Sequence, residues 1–583
     1  MDPTFLRKLR SRHIVQWGIA YLAVAGGTMQ VLDILGNRFD WPDGVMRVLF
    51  ALLGVGFLGV LVVAWFHGER GRQRVTGLEI ALLMLLLGVA AATVTLVASA
   101  PPTHRKVDSA AVADAQAAAA DRSIAVLPFV DLSPGHDQEY FSDGVTEEIL
   151  NTLAQVRGLR VAARTSSFAF KGKDVPVDRI GEELHVAHVL EGSVRKDGGR
   201  LRITAQLVNS ASGYHLWSKT YDLELGDVFS VQEEIARSIT EALRITLSGQ
   251  ASVAAPARTR PEAFDLFFRG LRALNRRTPD DLRQATDYFE QAIAVDSLYA
   301  QAHAGLAMAQ VLLPVFGAAP AREAMPRARD AARHALELDN SLPEAHATLA
   351  LVKDLYDWDW PGAEAEFAQA IQSGPSFATG HHWYGLAMIL SVGRADKALE
   401  ELRTADGLDP LSYIIDADVG QYYVLVRDYE RALTQLRGVL ETAPDFPEAL
   451  LWTGYAHLGA GRPADAARAW ARAPAMAGLR DSADVAAVMA GIADRARRPA
   501  ALAVLRRQAA QPHPALVDLA AQLALLGARE DALRLLERAA RERDFHILYV
   551  RHLAAFDGLR KDPHLQRILE PLPALEGAPP ATE

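Results

Sequence analysis

Apolar positions along the chain recur in three patterns, and each pattern predicts a different kind of structure. Three nearly continuous apolar stretches, at about 14–35, 46–66 and 78–99, are long enough to cross a hydrocarbon core as helices. Short apolar runs alternate with helical patterns over 122–248, and from 262 to 570 helical spacing dominates. We therefore predict a multidomain fold with N-terminal transmembrane α-helices, a small α/β module and a C-terminal all-α solenoid.

The cations between the apolar stretches predict the orientation of the chain. Residues 1–13 hold four Lys or Arg and the loop after the second stretch holds Arg70, Arg72 and Arg74, whereas the first loop has Arg38 against two Asp. Short loops rich in Lys and Arg stay in the cytoplasm. We expect a multi-pass protein of the bacterial inner membrane, with the lipid bilayer as a partner and the soluble C-terminal portion in the periplasm. Loss of the first span would reverse this orientation.

The predicted boundaries follow shifts in composition. Residues 1–100 form the membrane region, and 101–121, which begin with two prolines and are rich in Ala, form a linker. Residues 571–583 form a tail that we expect to be disordered. Within 122–248 we expect strands at 124–130, 159–163, 188–195, 201–207 and 214–221, with helices after Ser142, at 177–184 and from 228 to about 245.

The module carries several separated strings that resemble a known family. They are SIAVLPFVDLSP, EYFSDGVTEEIL, LRVAARTSSFAFKGK, VLEGSVRKDGGRLRITAQLV and HLWSKTYD. In this order they resemble the module of bacterial envelope and regulatory proteins related to FlgO and to the amino-terminal domain of TolB. The resemblance implies that the module precedes tetratricopeptide repeats and follows a winged-helix domain, an adenylate or guanylate cyclase domain, or a membrane region. It implies no catalytic residues in the module.

A small–large–small motif recurs through 262–570 and predicts about eight tetratricopeptide repeats. The first members of the eight motifs are spaced 43, 35, 35, 34, 34, 34 and 32 residues apart: Ala285, Ala328, Ala363, Ala398, Ala432, Ala466, Ala500 and Ala532. This spacing is close to the 34-residue period of the repeat. Small residues let the two helices of a repeat approach, and the large residue fills the space between them. The seventh motif departs from the pattern because Arg507 takes the place of a small residue.

Composition narrows the possible functions. The chain has 583 residues, of which 50% are hydrophobic, and a formal charge of −10 that disfavours a nucleic-acid partner. It has no cysteine, which excludes disulfides and thiolate metal sites. We predict no catalytic residues, no metal site and no cofactor.

Two clusters are candidate binding sites. Residues 157–173 hold cations and no acid, and Arg160, Arg164, Ser166, Lys171 and Lys173 could hold an anionic ligand; the alternative is a solvated sheet edge. His381, His382, Trp383 and Tyr384 lie together on the first helix of the fourth repeat. They could anchor a partner segment in the groove of the solenoid, and the alternative is ordinary packing between helices.

Together these features predict a non-enzymatic scaffold that binds a protein partner through the repeat groove and serves envelope assembly or signalling. The alternative is a signalling or regulatory protein related to cyclases or winged-helix regulators that lacks the effector domain. The identity of the partner and the oligomeric state are not encoded in any motif we recognise.

Overall fold

The computed structural model describes residues 122–135, 137–197, 200–224, 228–243, 260–511 and 514–572, together with the helical residues Leu53, Phe57 and Val60. The chain divides into two compact units, Met1–Ala115 and Gln116–Glu583, and every element below belongs to the second. The predicted linker at 101–121 lies outside the described residues, and so do residues 573–583 of the predicted tail.

The predicted fold class is wrong in including N-terminal transmembrane α-helices. The three helices predicted at about 14–35, 46–66 and 78–99 lie outside the described residues apart from the three positions named above. Among the helices that are described, none has the length and apolar character needed to span a membrane. The longest of those helices, the 18-residue helix Ala321–Leu338, carries charges along its length. The observed fold is mostly helical, with a small sheet and a C-terminal helical repeat.

One mixed sheet forms the centre of the module. Its strands are β1 Ser123–Val126, β2 Val130–Asp131, β3 Arg160–Val161, β4 His188–Asp197, β5 Arg200–Asn209 and β6 His215–Glu224. The order is β3-β1-β4-β5-β6, and β2 continues alongside β4 beyond β1. The pairs β1–β3 and β1–β4 are parallel, whereas β4–β5 and β5–β6 are antiparallel. The alternation of apolar residues in β5 places Leu201, Ile203, Ala205 and Leu207 in the core, as predicted.

Helices cover both faces of this sheet. They are α1 Glu139–Ala154, α2 Arg164–Phe168, α3 Val177–Leu184 and α4 Val228–Ala242. The helices α1 and α4 pack together and belong to the main hydrophobic core. Residues of α3 form a smaller cluster on the opposite face with Ala125 and Val189, and Leu411 of the repeat array packs against it. The module and the array therefore meet on both faces of the sheet.

Eight pairs of helices follow the module. They are α5 Pro261–Leu274 and α6 Pro279–Val295; α7 Ala300–Val315 and α8 Ala321–Leu338; α9 Pro343–Val352 and α10 Trp360–Ser373; α11 Ala378–Ala387 and α12 Ala395–Leu408; α13 Tyr413–Leu425 and α14 Tyr429–Thr442; α15 Pro447–Gly459 and α16 Pro463–Arg472; α17 Ser482–Ala493 and α18 Arg498–Ala509; α19 Leu516–Leu525 and α20 Arg529–Glu542. Two π-helical turns, Lys353–Asp357 and Met388–Val392, extend α9 and α11.

The recurrent motif packs the two helices of each repeat together. Ala398 and Leu402 are fully buried, and a Cβ added at Gly385 on the facing helix would come within 3.0 Å of Leu402. A Cβ at Gly420 would meet Leu436 as closely one repeat later. Glycine therefore allows the first helix to approach the large residue of the second, which fixes the spacing within a repeat.

The motif predicted for the seventh repeat is wrong by one residue. Ala500 is exposed, whereas Ala501 and Leu505 are fully buried and Gln508 is nearly so. The 3₁₀ turn Arg495–Arg497 precedes α18 and rotates this helix relative to the predicted phase. Arg507 is consequently exposed and pairs with Asp484 on the facing helix α17.

Residues 543–559, which we call the C-terminal segment, leave the last helix pair and return to earlier repeats. The segment contains two 3₁₀ stretches, Phe545–Arg551 and Ala554–Leu559, and is followed by α21 Pro563–Leu569. Its apolar residues Ile547, Leu548 and Phe556 are buried in the main core. That core runs without a break from the module sheet through the repeats to this segment, so the described part of the second unit is one packed body.

Candidate partner-binding groove

Tyr549 of the C-terminal segment lies in a groove lined by the first helices of several repeats. The groove residues are Asp354, Asp418, Gln421, Trp452 and Asp518. The Gln421 Nε2 donates to the Tyr549 hydroxyl over 3.3 Å, and the Trp452 and Tyr549 rings lie 5.5 Å apart. Burial and the nearby Asp418, Asp518 and Asp354 carboxyls raise the pKa of Tyr549 well above its usual value. Three acids from different repeats therefore lie near this one aromatic side chain.

Asp354 and Asp418 of this groove are buried, and Asp354 lacks a well-formed hydrogen bond. Neither carboxylate oxygen of Asp354 has a partner of ordinary geometry among the described residues, although the residue is 1% exposed. Burial raises the pKa of Asp354 to about 7, and the Ser391 hydroxyl nearby acts in the opposite direction. Asp518 accepts from the Tyr455 hydroxyl over 2.5 Å, and burial raises its pKa as well. A buried carboxylate without a good donor is costly, which makes Asp354 the least satisfied acid in the groove.

Polar contacts join the C-terminal segment to the third, fourth and fifth repeats. Arg427 makes two hydrogen bonds to Asp557, at 2.8 and 2.6 Å, and both side chains are about two-fifths exposed. His552 Nε2 lies 3.2 Å from the Leu390 carbonyl oxygen. The Arg543 guanidinium lies 3.7 Å from the centre of the Trp358 ring, a cation–π contact. We call these contacts the clasp.

On the module side, loops of the array cover the open edge of the sheet. Strand β3 is at the edge, and an unpaired edge leaves backbone groups without partners. The Val161 amide donates to Ser376 Oγ, which itself donates to the Leu159 carbonyl oxygen over 3.0 Å. The Ala163 amide donates to the Leu408 carbonyl oxygen over 2.7 Å. The loops between repeats therefore complete the hydrogen bonding of the module.

A buried carboxylate strengthens this module contact. The Ser166 amide and hydroxyl both donate to Asp409 Oδ1, at 2.9 and 2.7 Å, and the Leu411 amide donates to Ser166 Oγ. Burial raises the pKa of Asp409, although the bonds from Ser166 act in the opposite direction. Ser166 and Asp409 are both nearly inaccessible to solvent. They hold α2 of the module against the loop between the fourth and fifth repeats.

The residues proposed to bind an anion are engaged mostly by acids or backbone of this chain. Arg164 pairs with Glu147 at 2.8 Å, and Lys171 pairs with Glu139 and Asp143. Arg160 donates to the His185 carbonyl oxygen, and Ser166 donates to Asp409. Lys173 is exposed. The anion site stays a prediction. Of its five residues, Lys173 makes none of these contacts.

The residues proposed to anchor a partner are packed inside the array. His381, His382, Trp383 and Tyr384 are each less than a tenth exposed. The Tyr384 ring stacks on Phe367 with centroids 5.2 Å apart, and its hydroxyl donates to Glu364. His382 Nε2 lies 2.7 Å from Asp418 Oδ2, so this histidine contacts a residue of the groove. Their role as anchors stays a prediction, and these four residues do not lie on the surface.

His381 belongs to a recurrent structural contact that the sequence could have revealed. His303, His346 and His381 occupy equivalent positions in successive repeats, and Nε2 of each lies 3.0 to 3.2 Å from the carbonyl oxygen six residues earlier. His381 Nδ1 also lies 2.6 Å from Glu401. Although burial raises it, bonds from His381 and Lys397 hold the pKa of Glu401 below its usual value. Recurrence at the repeat period was the missed signal of a structural role.

Two acids with raised pKa values, one in the module and one in the array, influence each other electrostatically. Burial, with help from Glu344 and Glu147, raises the pKa of Glu148 on α1 to about 8. Burial also raises the pKa of Glu344, at the start of α9, to about 7. Both shifts arise mainly from burial, which disfavours the charged form of a carboxyl.

The comparisons with known proteins find partial relatives. No family model matches the chain. A protein of Rhizobium meliloti (strain 1021) named "Putative adenylate cyclase 3" is 40% identical over 234 residues, which are 39% of this chain and 40% of that protein. The transcriptional regulator HilA of Salmonella typhimurium is 26% identical over 145 residues, which are 25% of this chain and 26% of HilA. The chain spans less than half the length of these curated relatives.

The class of the protein follows from its helix pairs. The eight pairs and the burial of their recurrent alanines make the C-terminal part a tetratricopeptide repeat array. Among solved structures, a thermophilic tetratricopeptide repeat protein of Thermus thermophilus, TTC0263, is 20% identical, with a TM-score of 0.29 and coverage of 34% of this chain and 99% of that one. The resemblance of the module to FlgO and TolB stays a prediction.

Proposed function

We propose that this chain is a scaffold that binds a protein partner through the groove of its repeats. The observation that carries the proposal is that the groove already holds a stretch of polypeptide, the C-terminal segment, through residues of four different repeats. A surface that accommodates an extended segment of its own chain has the shape and chemistry to accommodate a segment of another.

The rigid connection between module and array supports this role. The array loops complete the β3 edge, and Ser166 and Asp409 are bonded in a buried contact. The module cannot move freely relative to the first five repeats without breaking these bonds. A partner bound in the groove would therefore be held at a fixed position relative to the module.

Site-specific photocrosslinking in living cells tests the proposal. A photoreactive phenylalanine analogue at position 427, beside the C-terminal segment, should crosslink to a cellular protein. The same analogue at position 437, which is exposed on the second helix of the fifth repeat, is the control. Crosslinks at 427 but not at 437 are expected. Equal crosslinking at both positions, or none at either, would contradict a groove-based scaffold.

The similarity to "Putative adenylate cyclase 3" favours one second candidate. Identity of 40% over 234 residues is consistent with a regulatory chain of a signalling system. Incubating the purified full chain with ATP or GTP and measuring cyclic nucleotide tests whether a chain of this signalling class has enzymatic activity of its own, which a scaffold would lack. Synthesis that depends on the chain would favour the signalling candidate and would overturn the prediction that the chain is not an enzyme.

The cellular location is a separate proposal. The distribution of Lys and Arg near the N-terminus predicts that residues after 100 lie in the periplasm and that the protein contacts a lipid bilayer. An alkaline phosphatase fusion after Ala120 should then be active, and a fluorescent protein that folds only in the cytoplasm should be dark. The opposite pair of results would contradict this location and would leave the groove proposal intact.

A further inference from the structure

We infer that the groove around Tyr549 binds a basic segment that carries a tyrosine, and that the clasp closes this groove in the free protein. The inference rests on the proposed function, because it names the chemistry of the partner at the same groove. Three features of the described residues support it: the two sides of the C-terminal segment, the lining of the groove and the poorly satisfied carboxylate within it.

The two sides of the C-terminal segment are held in different ways. Its apolar residues are buried, and its second 3₁₀ stretch packs against α15 and α19. Its contacts with the third, fourth and fifth repeats include polar ones, among them the pair of Arg427 and Asp557, which is about two-fifths exposed. An exposed ion pair contributes much less to stability than a buried apolar side chain. The clasp can therefore open while the segment stays attached to the last repeats.

The groove lining selects the chemistry of the segment that fills it. Acidic residues lie near Tyr549, and Trp358 and Trp360 belong to the same repeat as one of them, Asp354. The C-terminal segment places Arg543 over Trp358 at 3.7 Å and Arg551 near Trp360 at 5.9 Å. A tyrosine between two arginines, as in residues 543–551, is complementary to acids flanked by indole rings.

Asp354 provides a reason for a partner to replace the resident segment. The carboxylate is buried and has no hydrogen bond of ordinary geometry among the described residues, so the C-terminal segment fills the groove without satisfying it. A partner with an ammonium or guanidinium group at this point would form a charge-assisted hydrogen bond that the closed protein lacks. An acidic partner would add repulsion in the same place and would be excluded.

Binding of a defined peptide to full-length variants tests the inference. The probe is a fluorescent peptide with the sequence of residues 543–551, RDFHILYVR. In Arg427→Glu the clasp pair becomes repulsive, while Asp557 keeps its ion pair with Arg560. Arg437→Glu makes the same charge change at an exposed position for which no contact with the segment is described. Tyr549→Ala removes the side chain that lies in the groove. It serves as a second variant if Arg427→Glu does not fold.

We expect Arg427→Glu to bind the peptide about tenfold more tightly than the unmodified chain, because the peptide no longer competes with a closed clasp. Arg437→Glu should bind like the unmodified chain. Tyr549→Ala should also gain affinity. A peptide with both arginines replaced by glutamate should show no gain with any variant.

Each contrary result has a defined meaning. If neither opened variant gains affinity although hydrogen exchange in residues 545–551 rises, the groove does not recognise this chemistry and the inference is wrong. If exchange in 545–551 does not rise in Arg427→Glu, the clasp does not close the groove and the inference is also wrong. If the acidic peptide binds equally well, the groove has no preference for a basic segment. Crosslinking at position 427 that persists in any of these cases would leave the proposed scaffold function standing.

Discussion

The module and the C-terminal segment both pack against the repeats, but they differ in what lies at the contact. At the module, backbone groups of β3 and the Ser166 side chain bond to loops of the array in places that solvent does not reach. At the clasp, Arg427 and Asp557 meet in a pair that is about two-fifths exposed. The comparison indicates which contact is permanent: opening the first leaves buried groups without partners, whereas opening the second returns charged groups to water.

Overpacking the module contact should have the largest effect. A Cβ at Gly144 on α1 would come within 3.0 Å of the Phe268 ring on α5. We expect Gly144→Ala to lower the free energy of unfolding by about 3 kcal/mol, because the ring has no room to move in a shared core. Chemical denaturation measures the change.

Gly438→Ala is the matched control for this substitution. Gly438 lies within the helix α14, and a Cβ there would meet nothing within 4 Å. This variant should raise the free energy of unfolding by about 0.5–1 kcal/mol, since alanine is the better helix former. If Gly144→Ala stabilises the chain like Gly438→Ala, the module and the array do not share a core.

Removing the buried carboxylate should have the next largest effect. Asp409→Ala leaves the Ser166 amide and hydroxyl without their acceptor, and we expect a loss of about 2 kcal/mol. Ser166→Ala should cost about 1 kcal/mol. A double-mutant cycle isolates the coupling between the two residues, which should exceed about 0.5 kcal/mol. Additive effects would mean that these residues do not hold the module to the array.

The buried Glu148 predicts a pH dependence of stability. Its carboxyl stays protonated in the folded chain up to pH of about 8, because burial raises its pKa from 4.5. The unfolded chain releases that proton near its ordinary pKa, so the folded chain binds more protons between these values and stability falls as pH rises. Glu148→Gln stays neutral and should increase the free energy of unfolding at pH 8 by on the order of 1–2 kcal/mol.

Denaturation at pH 5 is the control for this substitution. There the glutamate is largely neutral in the folded chain, and the two chains should differ less than at pH 8. A gain from Glu148→Gln that is the same at both pH values would show that the raised pKa does not contribute to the pH dependence.

Removing the clasp should have the smallest effect on global stability. Because Arg427 and Asp557 are partly exposed, Arg427→Ala should cost less than about 1 kcal/mol. Arg437→Ala, at an exposed position with no ion pair among those described, should cost less still. A loss from Arg427→Ala comparable to that from Asp409→Ala would remove the distinction between the two contacts.

Local sequence patterns predicted the repeats well because their packing is local. The alanine motifs identify the second helix of each repeat, and the glycines at 393, 461 and 527 adopt the positive φ values that the turns between helices require. The seventh motif failed by one residue because a 3₁₀ turn changes the phase of α18. Such a turn leaves no strong pattern in the sequence.

The groove was harder to predict because it depends on the curvature of the array. Tyr549 and Asp354 are about 200 residues apart in the chain, and no periodicity brings them together. Trp383 and Tyr384 are of residue types that often anchor a partner. Their packing against neighbouring helices is visible only in three dimensions. In the same way, the cations at 157–173 appeared free because their acids, Glu139, Asp143 and Glu147, lie outside that window.

Hydrogen exchange of the unmodified full chain tests most directly the claim that one contact is permanent and the other opens. The Val161 and Ala163 amides, which bond to the array, should exchange only through global unfolding. Amides in residues 545–551 should exchange faster, with a free energy of opening well below the global value and further lowered by Arg427→Glu. Equal protection of the two regions, or faster exchange at Val161 and Ala163, would contradict the account.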